Sequence, residues 1–564
     1  MNLKALNDIT LRKKIAQLLL LISLVLSSHS LPVIAENHPP QSSTLFITID
    51  GLGYKLILTT NLKLQHHSTQ NSSTKHFTGI IENRPESWAR LSIIDNHWQG
   101  VISIDGDISP ISPDNSTIDT EGNLIVSNLS AERSTPLHCG SPNAISPQKI
   151  TAEKMIEHQL INYTALCDDT INGICIVAEL ELAFDQAFQA RYPNNAADQA
   201  NSLINIVEGY YINDMNIGFN QITSELLTSE TFSSSTDAVS LLDDIRSKKV
   251  NNQIPFIKND AALFHFVTGR EFDTSTVGVA YLGTLCDTNG YSVGTSQLVS
   301  GNIPITALVV AHEIGHNLGS SHDDPANNTC DSGFIMAPSL SSFANQFSSC
   351  SIESIQSTIS NTNNVEQCIN FAADVVISAD ENNATSSEST DTTTDNFTIS
   401  ISSLYQPVTA ISIAGTLSTT DTSFPLNGEF TSVSLPGTTC TIASDGLSYQ
   451  CVLNTTTPLH TLSVSSTGTN TSLDMIHSVS IVSPSTVVDI NANNNSYIRS
   501  LTINNTTTPD ESNDDTAPED TTTPEVSDTS THSSSDNSDS GGGGGGSISW
   551  SILISLFLVK LRRK

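Results

Sequence analysis

The segment Val309-Val310-Ala311-His312-Glu313-Ile314-Gly315-His316-Asn317-Leu318-Gly319-Ser320-Ser321-His322-Asp323 concentrates the chemistry of the chain. His312 and His316 stand four apart, so on a helix they share one face, one turn apart. Two imidazoles so placed can hold one Zn2+, and a catalytic zinc wants three protein ligands with a fourth position open. Glu313, next to the first imidazole, can reach a water there and act as general base. Gly319 can take a left-handed conformation that ends the helix and turns the chain back. That turn brings His322 round as the third ligand. A bare His-Glu-x-x-His is weak by itself; its extension through Gly319 to His322 is far more specific.

The elements that must carry these residues are readable nearby. Pro304 suits the first turn of the helix bearing His312 and His316. From about Ile174 to Cys368 the pattern mixes helix and strand. Cys175 to Leu182 reads as a buried strand, Ala197 to Ile217 as a long helix running into a strand, and Ala238 to Lys249 as a short helix capped by Asp237. Val277 to Leu282 reads as a further strand. Upstream, Thr44 to Pro113 alternates like strands, with Asp50-Gly51 as a turn. His66, His67 and His76 fall here and read as solvated or structural.

Beyond Cys368, Lys and Arg nearly vanish; Arg499 stands alone before the basic tail. Glu381 to Asp395 reads as a polar linker, and Phe397 to about Ile503 as a small all-β module in which Cys440 and Cys451 bridge a hairpin. Thr506 to Ser540 is acidic, with Pro and Thr, and too poor in apolar residues to fold; it reads as a disordered stalk.

The 564 residues carry 58 Asp and Glu against 23 Lys and Arg, a formal net charge of −35. That balance excludes a nucleic-acid binder, which would show a basic patch. Apart from Arg499 and the basic tail, the basic residues lie in the first two thirds, so the C-terminal third suits an extended, soluble spacer.

Both ends read as addresses. Lys4, Arg12, Lys13 and Lys14 precede a short apolar run, Ile15 to Leu26, and Val33-Ile34-Ala35 offers small residues for signal peptidase, with cleavage after Ala35. Export places the chain where disulfides persist. The C-terminus joins six glycines (Gly541 to Gly546), an apolar run (Ser547 to Val559) and Lys560-Leu561-Arg562-Arg563-Lys564. This end resembles the bacterial GlyGly C-terminal sorting signal. The resemblance implies transient anchoring in the inner membrane, cutting near the glycines by a rhomboid-like protease, and transfer to the cell surface or release.

The zinc segment resembles the adamalysin (reprolysin, ADAM-like) branch of the metzincin metalloproteases. Asp323 after the third histidine is that branch's marker, and Phe334-Ile335-Met336-Ala337-Pro338 is similar to the methionine turn that follows in metzincins, with Met336 as an apolar floor beneath the metal. Leu263 to Asp273 and Val277 to Cys286 also look like the family. The resemblance covers about Ile174 to Cys368. It implies an α/β (α+β) metzincin catalytic domain, with a twisted mixed sheet and an active-site helix, that binds extended protein or peptide substrates along an edge strand at Val277 to Leu282. Cys286 with Cys368 and Cys330 with Cys350 resemble family pairings, and Cys167 and Cys175 are close enough for a local loop. Eight of the nine cysteines are then assigned, and Cys139 remains. Its Cys139-Gly140 resembles the family's prodomain cysteine switch, as His76-Phe77-Thr78-Gly79 through Gly100 resembles the prodomain itself. The family also implies a structural Ca2+, whose ligands the sequence does not place.

The expected organisation is a signal peptide (1–35), a β-rich prodomain (36–165), a reprolysin-like metalloprotease domain (166–372), a linker (373–396), a β-sandwich-like module (397–505), the stalk (506–540) and the sorting signal with a short transmembrane segment (541–564). The expected activity is that of a secreted or surface zinc endopeptidase made as a zymogen. The alternative is a surface adhesin with a vestigial protease, against which the intact His312, Glu313, His316 and His322 count.

Overall fold

The structure is a computed structural model that describes residues 42–65, 74–127, 137–140, 161–258, 260–324, 330–341, 344–363, 365–379, 385–386, 392–419, 428–455, 457–468 and 473–501. The chain divides into two units, Met1–Asn505 and Thr506–Lys564. The signal peptide, stalk and sorting signal expected from the sequence lie outside the described residues. No helix among the described residues is long and apolar enough to cross a membrane.

The fold is mixed α/β and rich in sheet. An N-terminal sheet of eight strands includes Ser42–Ile49, Leu52–Thr60, Lys75–Ile81, Arg84–Ile94 and His97–Ile104. Alternation sends Leu45, Ile47, Leu56, Leu58, Leu91 and Ile102 into one core. Asp50 (φ 50°) and Gly51 (φ 81°) make the tight turn between the first two strands, which needs positive φ at both positions.

A second sheet of thirteen strands carries the candidate site. At its centre Ile176–Phe184 is buried almost throughout and runs parallel to Leu263–Thr268, which runs parallel to Val293–Gln297. Thr276–Ala280 pairs antiparallel with Val293–Gln297. Helices pack on this sheet, their starts fixed by side-chain caps: Asp237 accepts from Ser240 N–H at 2.7 Å and Asn302 from Ile305 N–H at 3.0 Å. The long helix Ala196–Met215 ends at Asn216, whose left-handed backbone (φ 57°) releases the chain directly into the strand Ile217–Leu226.

One expectation needs correction. Residues 373–379, within the span read as linker, are the second half of a strand, Ile369–Ala379. Its first residues pair with Ile176–Phe184 and the rest with Thr392–Ser403. The reason is alternation: Ala373, Val375 and Ile377 are buried while Asp374, Val376 and Ser378 between and beyond them are more exposed. The same sheet thus runs on into the C-terminal module. There a five-stranded sheet (Cys440–Ile442, Ser448–Asn454, Ala410–Ser418, Leu473–Ser483, Ser496–Leu501) covers it. Phe397, Ile399 and Leu462 from one layer share a core with Ile411, Ile413 and Met475 from the other.

Candidate active site

The helix Ile303–Asn317 is buried along nearly its whole length, and His312, Glu313 and His316 are all fully buried. The helix ends at Leu318. Gly319 then adopts φ +105°, and a Cβ there would collide with Thr358, so glycine is required on both counts. Ser320 N–H donates back to Gly315 O at 2.9 Å, and the chain returns with His322.

The three imidazoles converge. His322 Nε2 lies 3.2 Å from His312 Nε2 and 3.2 Å from His316 Nε2. His312 donates its Nδ1–H to Ile335 O (2.6 Å) and His316 donates its own to Ser320 O (2.7 Å). Both therefore present bare Nε2 lone pairs to His322, which could donate to only one of them. A cation between the three resolves this: tetrahedral zinc with Zn–N of about 2.0–2.1 Å sets its nitrogens about 3.3 Å apart. The backbone carbonyls on the far nitrogens hold each ring in the tautomer a metal needs. Burial pushes the His312 imidazole down to about 3 and that of His316 well below its usual value, so both are neutral. The donor set fits zinc.

Glu313 lies beside them. Burial pushes its carboxyl up to about 8, and neither oxygen has a nitrogen or oxygen hydrogen-bond donor. Its neighbours are the Cys139 thiol and His312; ligand atoms of these three lie within 4.8 Å of one another. Burial first, and then the charge of Glu313, push the Cys139 thiol up. Cys139 is free, and four disulfides take the remaining cysteines: Cys167–Cys175, Cys286–Cys368, Cys330–Cys350 and Cys440–Cys451.

Cys139 reaches the site on a short strand, Leu137–Cys139, wedged into the sheet. It runs parallel to Thr276–Ala280, with Cys139 level with Gly278, and antiparallel to Ser339–Leu340. Gly140 N–H continues the pairing to Gly278 O at 2.8 Å. The strand expected over Val277 to Leu282 ends at Ala280.

Asp323 is buried. Its N–H donates to Met336 O (2.8 Å), and its Oδ1 accepts from Ser348 (2.7 Å) and Ser351 (2.9 Å), tying the turn after His322 to the helix Ser349–Asn361. Met336 is fully buried beneath the site helix.

Three residues here were not singled out from the sequence. Gly278 has no room for a Cβ, which would sit 2.6 Å from Glu313 Oε1. Gly315 likewise admits Met336, whose Sδ would be 2.5 Å from a Cβ. Tyr211, on the helix behind the site, donates its hydroxyl hydrogen to Ala311 O at 2.7 Å. Glycine inside a strand is a readable sign of close approach, but not of what approaches.

A family model described as Reprolysin_5, Metallo-peptidase family M12, matches residues 176–348. The snake venom metalloproteinase TM-1 of Protobothrops mucrosquamatus is 42% identical over 103 residues, 18% of this chain and 49% of its own. The zinc metalloproteinase-disintegrin-like BmMP of Bungarus multicinctus is 27% identical over 288 residues, 50% of this chain and 45% of its own. The kaouthiagin-like protein of Naja atra, also named a zinc metalloproteinase-disintegrin-like, is 41% identical over 99 residues, 18% of this chain and 16% of its own. The chain thus spans about half the length of the first two relatives and less of the third. Among solved structures, a collagen-binding domain from a Staphylococcus aureus adhesin aligns with 23% of this chain and 97% of its own at 10% identity, with a TM-score of 0.14, too low to bear on the fold. The stretch that carries the three histidines is thus similar to the reprolysin-type metallopeptidases of family M12.

Proposed function

We propose that the chain is an exported zinc endopeptidase of metzincin layout, made as a latent precursor, that cuts peptide bonds in extracellular proteins. The observation that carries this reading is the convergence of His312, His316 and His322 Nε2 beside the buried Glu313 carboxyl. When bound, the zinc supplies Lewis acidity that polarises a peptide carbonyl and makes water a better nucleophile.

The chain's own residues do the rest. Glu313 takes the proton of the attacking water and delivers it to the leaving amine. Thr276–Ala280 offers backbone groups to an extended substrate. In the precursor that edge is taken by Leu137–Cys139. Cys139, beside His312 and Glu313, is the group that would fill the open position on the metal and keep substrate and water out.

Zymography on casein tests the reading. The secreted protein should clear the gel, a zinc chelator should stop it, and Glu313→Gln should be inactive while binding zinc normally. Clearing by Glu313→Gln would remove the carboxylate from the reaction.

A further inference from the structure

The three imidazoles ride on two carriers. His312 and His316 belong to the helix Ile303–Asn317, whereas His322 follows the turn at Gly319. Each carrier is backed by a different element. The helix Ala196–Met215 holds the first through Tyr211, whose hydroxyl donates to Ala311 O (2.7 Å), next to His312. The helix Ser349–Asn361 and its N-cap Ser348 hold the second. Ser348 and Ser351 donate to Asp323 Oδ1 (2.7 and 2.9 Å), next to His322, and Ser354 donates to Gly319 O (2.7 Å). Where His322 stands relative to the other two imidazoles therefore depends on how the two backing helices stand to each other.

Those helices meet at the start of the second, where Phe347 N–H donates to Asp214 Oδ2 (2.7 Å). A bond at one end fixes a point but not a direction. A bond at the other end comes from the segment Ile161–Cys175, directly before the strand Ile176–Phe184. Its short helix Tyr163–Leu166, capped by Asn162, lies on Ser349–Asn361. Tyr163 reaches both backing helices. Its N–H donates to Ser360 Oγ (3.3 Å), near the far end of Ser349–Asn361, and its hydroxyl donates to Met215 O, at the end of Ala196–Met215. The last carbonyls of a helix have no partner within it. The segment takes two in succession, since Cys175 N–H donates to Asn216 O (2.9 Å). Ile161, Tyr163 and Leu166 are buried in one core with Met215 of the first helix and Ile355 and Ile359 of the second. The disulfide Cys167–Cys175 closes the segment on itself and ties the Tyr163 helix to the start of the strand.

We infer that Tyr163 is a positioning residue for the zinc site. By bonding both backing helices it fixes the direction of Ser349–Asn361 and so, through Asp323 and Gly319, the distance of His322 from His312 and His316. His322 Nε2 stands 3.2 Å from each of the other two. Zinc–nitrogen bonds of about 2.0–2.1 Å leave little latitude, so a small displacement of His322 weakens one bond of the three. This role rests on the reading of the imidazoles as zinc ligands and goes beyond it, since Tyr163 acts at two removes from them.

The experiment uses the full chain. Zinc affinity is measured by competition with a chromophoric chelator, and the melting temperature of the zinc-free protein by calorimetry. Tyr163→Phe removes one oxygen and keeps the ring; it should weaken zinc binding about 10-fold, the low end for groups that orient metal ligands. Cys167→Ala with Cys175→Ala loosens the same segment and should weaken zinc binding in the same direction. Tyr449→Phe removes a buried hydroxyl from the C-terminal module, where it stands 2.7 Å from His477 Nδ1. It should lower the melting temperature and leave zinc affinity where it was. Zinc affinity unchanged in both Tyr163→Phe and the double cysteine variant, or lowered equally by Tyr449→Phe, would overturn the assignment. A wild-type chain that binds no zinc would overturn the reading of the site itself and this role with it.

Discussion

Gly278 and Glu313 face each other across the gap between the edge strand and the site helix, so closely that a Cβ on residue 278 would lie 2.6 Å from Oε1 and 2.8 Å from Cγ of Glu313. The strand proposed to offer its backbone to a peptide therefore also walls in the carboxylate. Gly278→Ala should displace Glu313 without touching an imidazole. We expect zinc content to stay at one per chain and kcat on a quenched peptide to fall roughly 10- to 100-fold, the scale of a displacement near 1 Å in a catalytic group. An unchanged kcat would mean that the carboxylate has room to spare.

Removing the Cys139 thiol should weaken latency. The thiol stands within 4.8 Å of both Glu313 and His312, and its strand occupies the edge beside Gly278. Cys139→Ala keeps the strand pairing, which is all backbone, and deletes only the sulfur. The uncut variant should show peptidase activity several-fold or more above the uncut wild type while remaining below the processed enzyme. Equal latency would assign the block to the backbone pairing alone.

The chemistry was legible because it is local. His312, Glu313 and His316 are placed by helix periodicity and His322 by one glycine turn, so eleven consecutive residues carry the geometry. What was not legible depends on elements distant in sequence. Gly278 and Gly315 are empty space whose meaning is the side chain that fills it, Glu313 in one case and Met336 in the other. Asp198, Asn205 and Glu208 are buried by the N-terminal segment, which lies more than a hundred residues away in sequence. Residues 373–379 were read as linker because the Ser/Thr-rich stretch just beyond them dominates the composition, whereas the alternation of Ala373, Val375 and Ile377 is short.

Gly315 predicts a stability effect at the metal's floor. A methyl group there would meet Met336 Sδ at 2.5 Å and Phe347 Cε1 at 3.3 Å. Overpacking of this kind costs roughly 1–3 kcal/mol, and the displaced helix turn carries both His312 and His316. Gly315→Ala should lower both the melting temperature and the zinc affinity. Met336→Leu, close in volume, should cost less than about 1.5 kcal/mol. Calorimetry with and without added zinc separates the two effects; a Gly315→Ala protein with wild-type melting and zinc binding would show that Met336 moves aside freely.

Acid should destabilise the fold through histidines remote from the metal. Burial pushes His76 down to about 4 and both His265 and His477 to about 3. Each is buried against a hydroxyl: Ser92 at 2.8 Å, Ser296 at 2.9 Å and Tyr449 at 2.7 Å. Because the folded values lie below the unfolded one of about 6.5, the unfolded chain binds more protons in this range. Their contribution is complete above pH 6.5 and is lost as pH falls toward 4, on the order of 3 kcal/mol for His76. Asp214 works the other way: burial pushes its carboxyl up to about 6, so its contribution is lost as pH rises through 6. The difference between wild type and His76→Gln isolates one histidine, since Gln can hydrogen-bond Ser92 and carries no charge at any pH. Denaturant unfolding of the two between pH 7 and 4 should give curves that converge as pH falls, because only the wild type must exclude a proton at residue 76. Curves that stay parallel would mean that His76 takes up its proton at the same pH in the folded protein as in the unfolded chain.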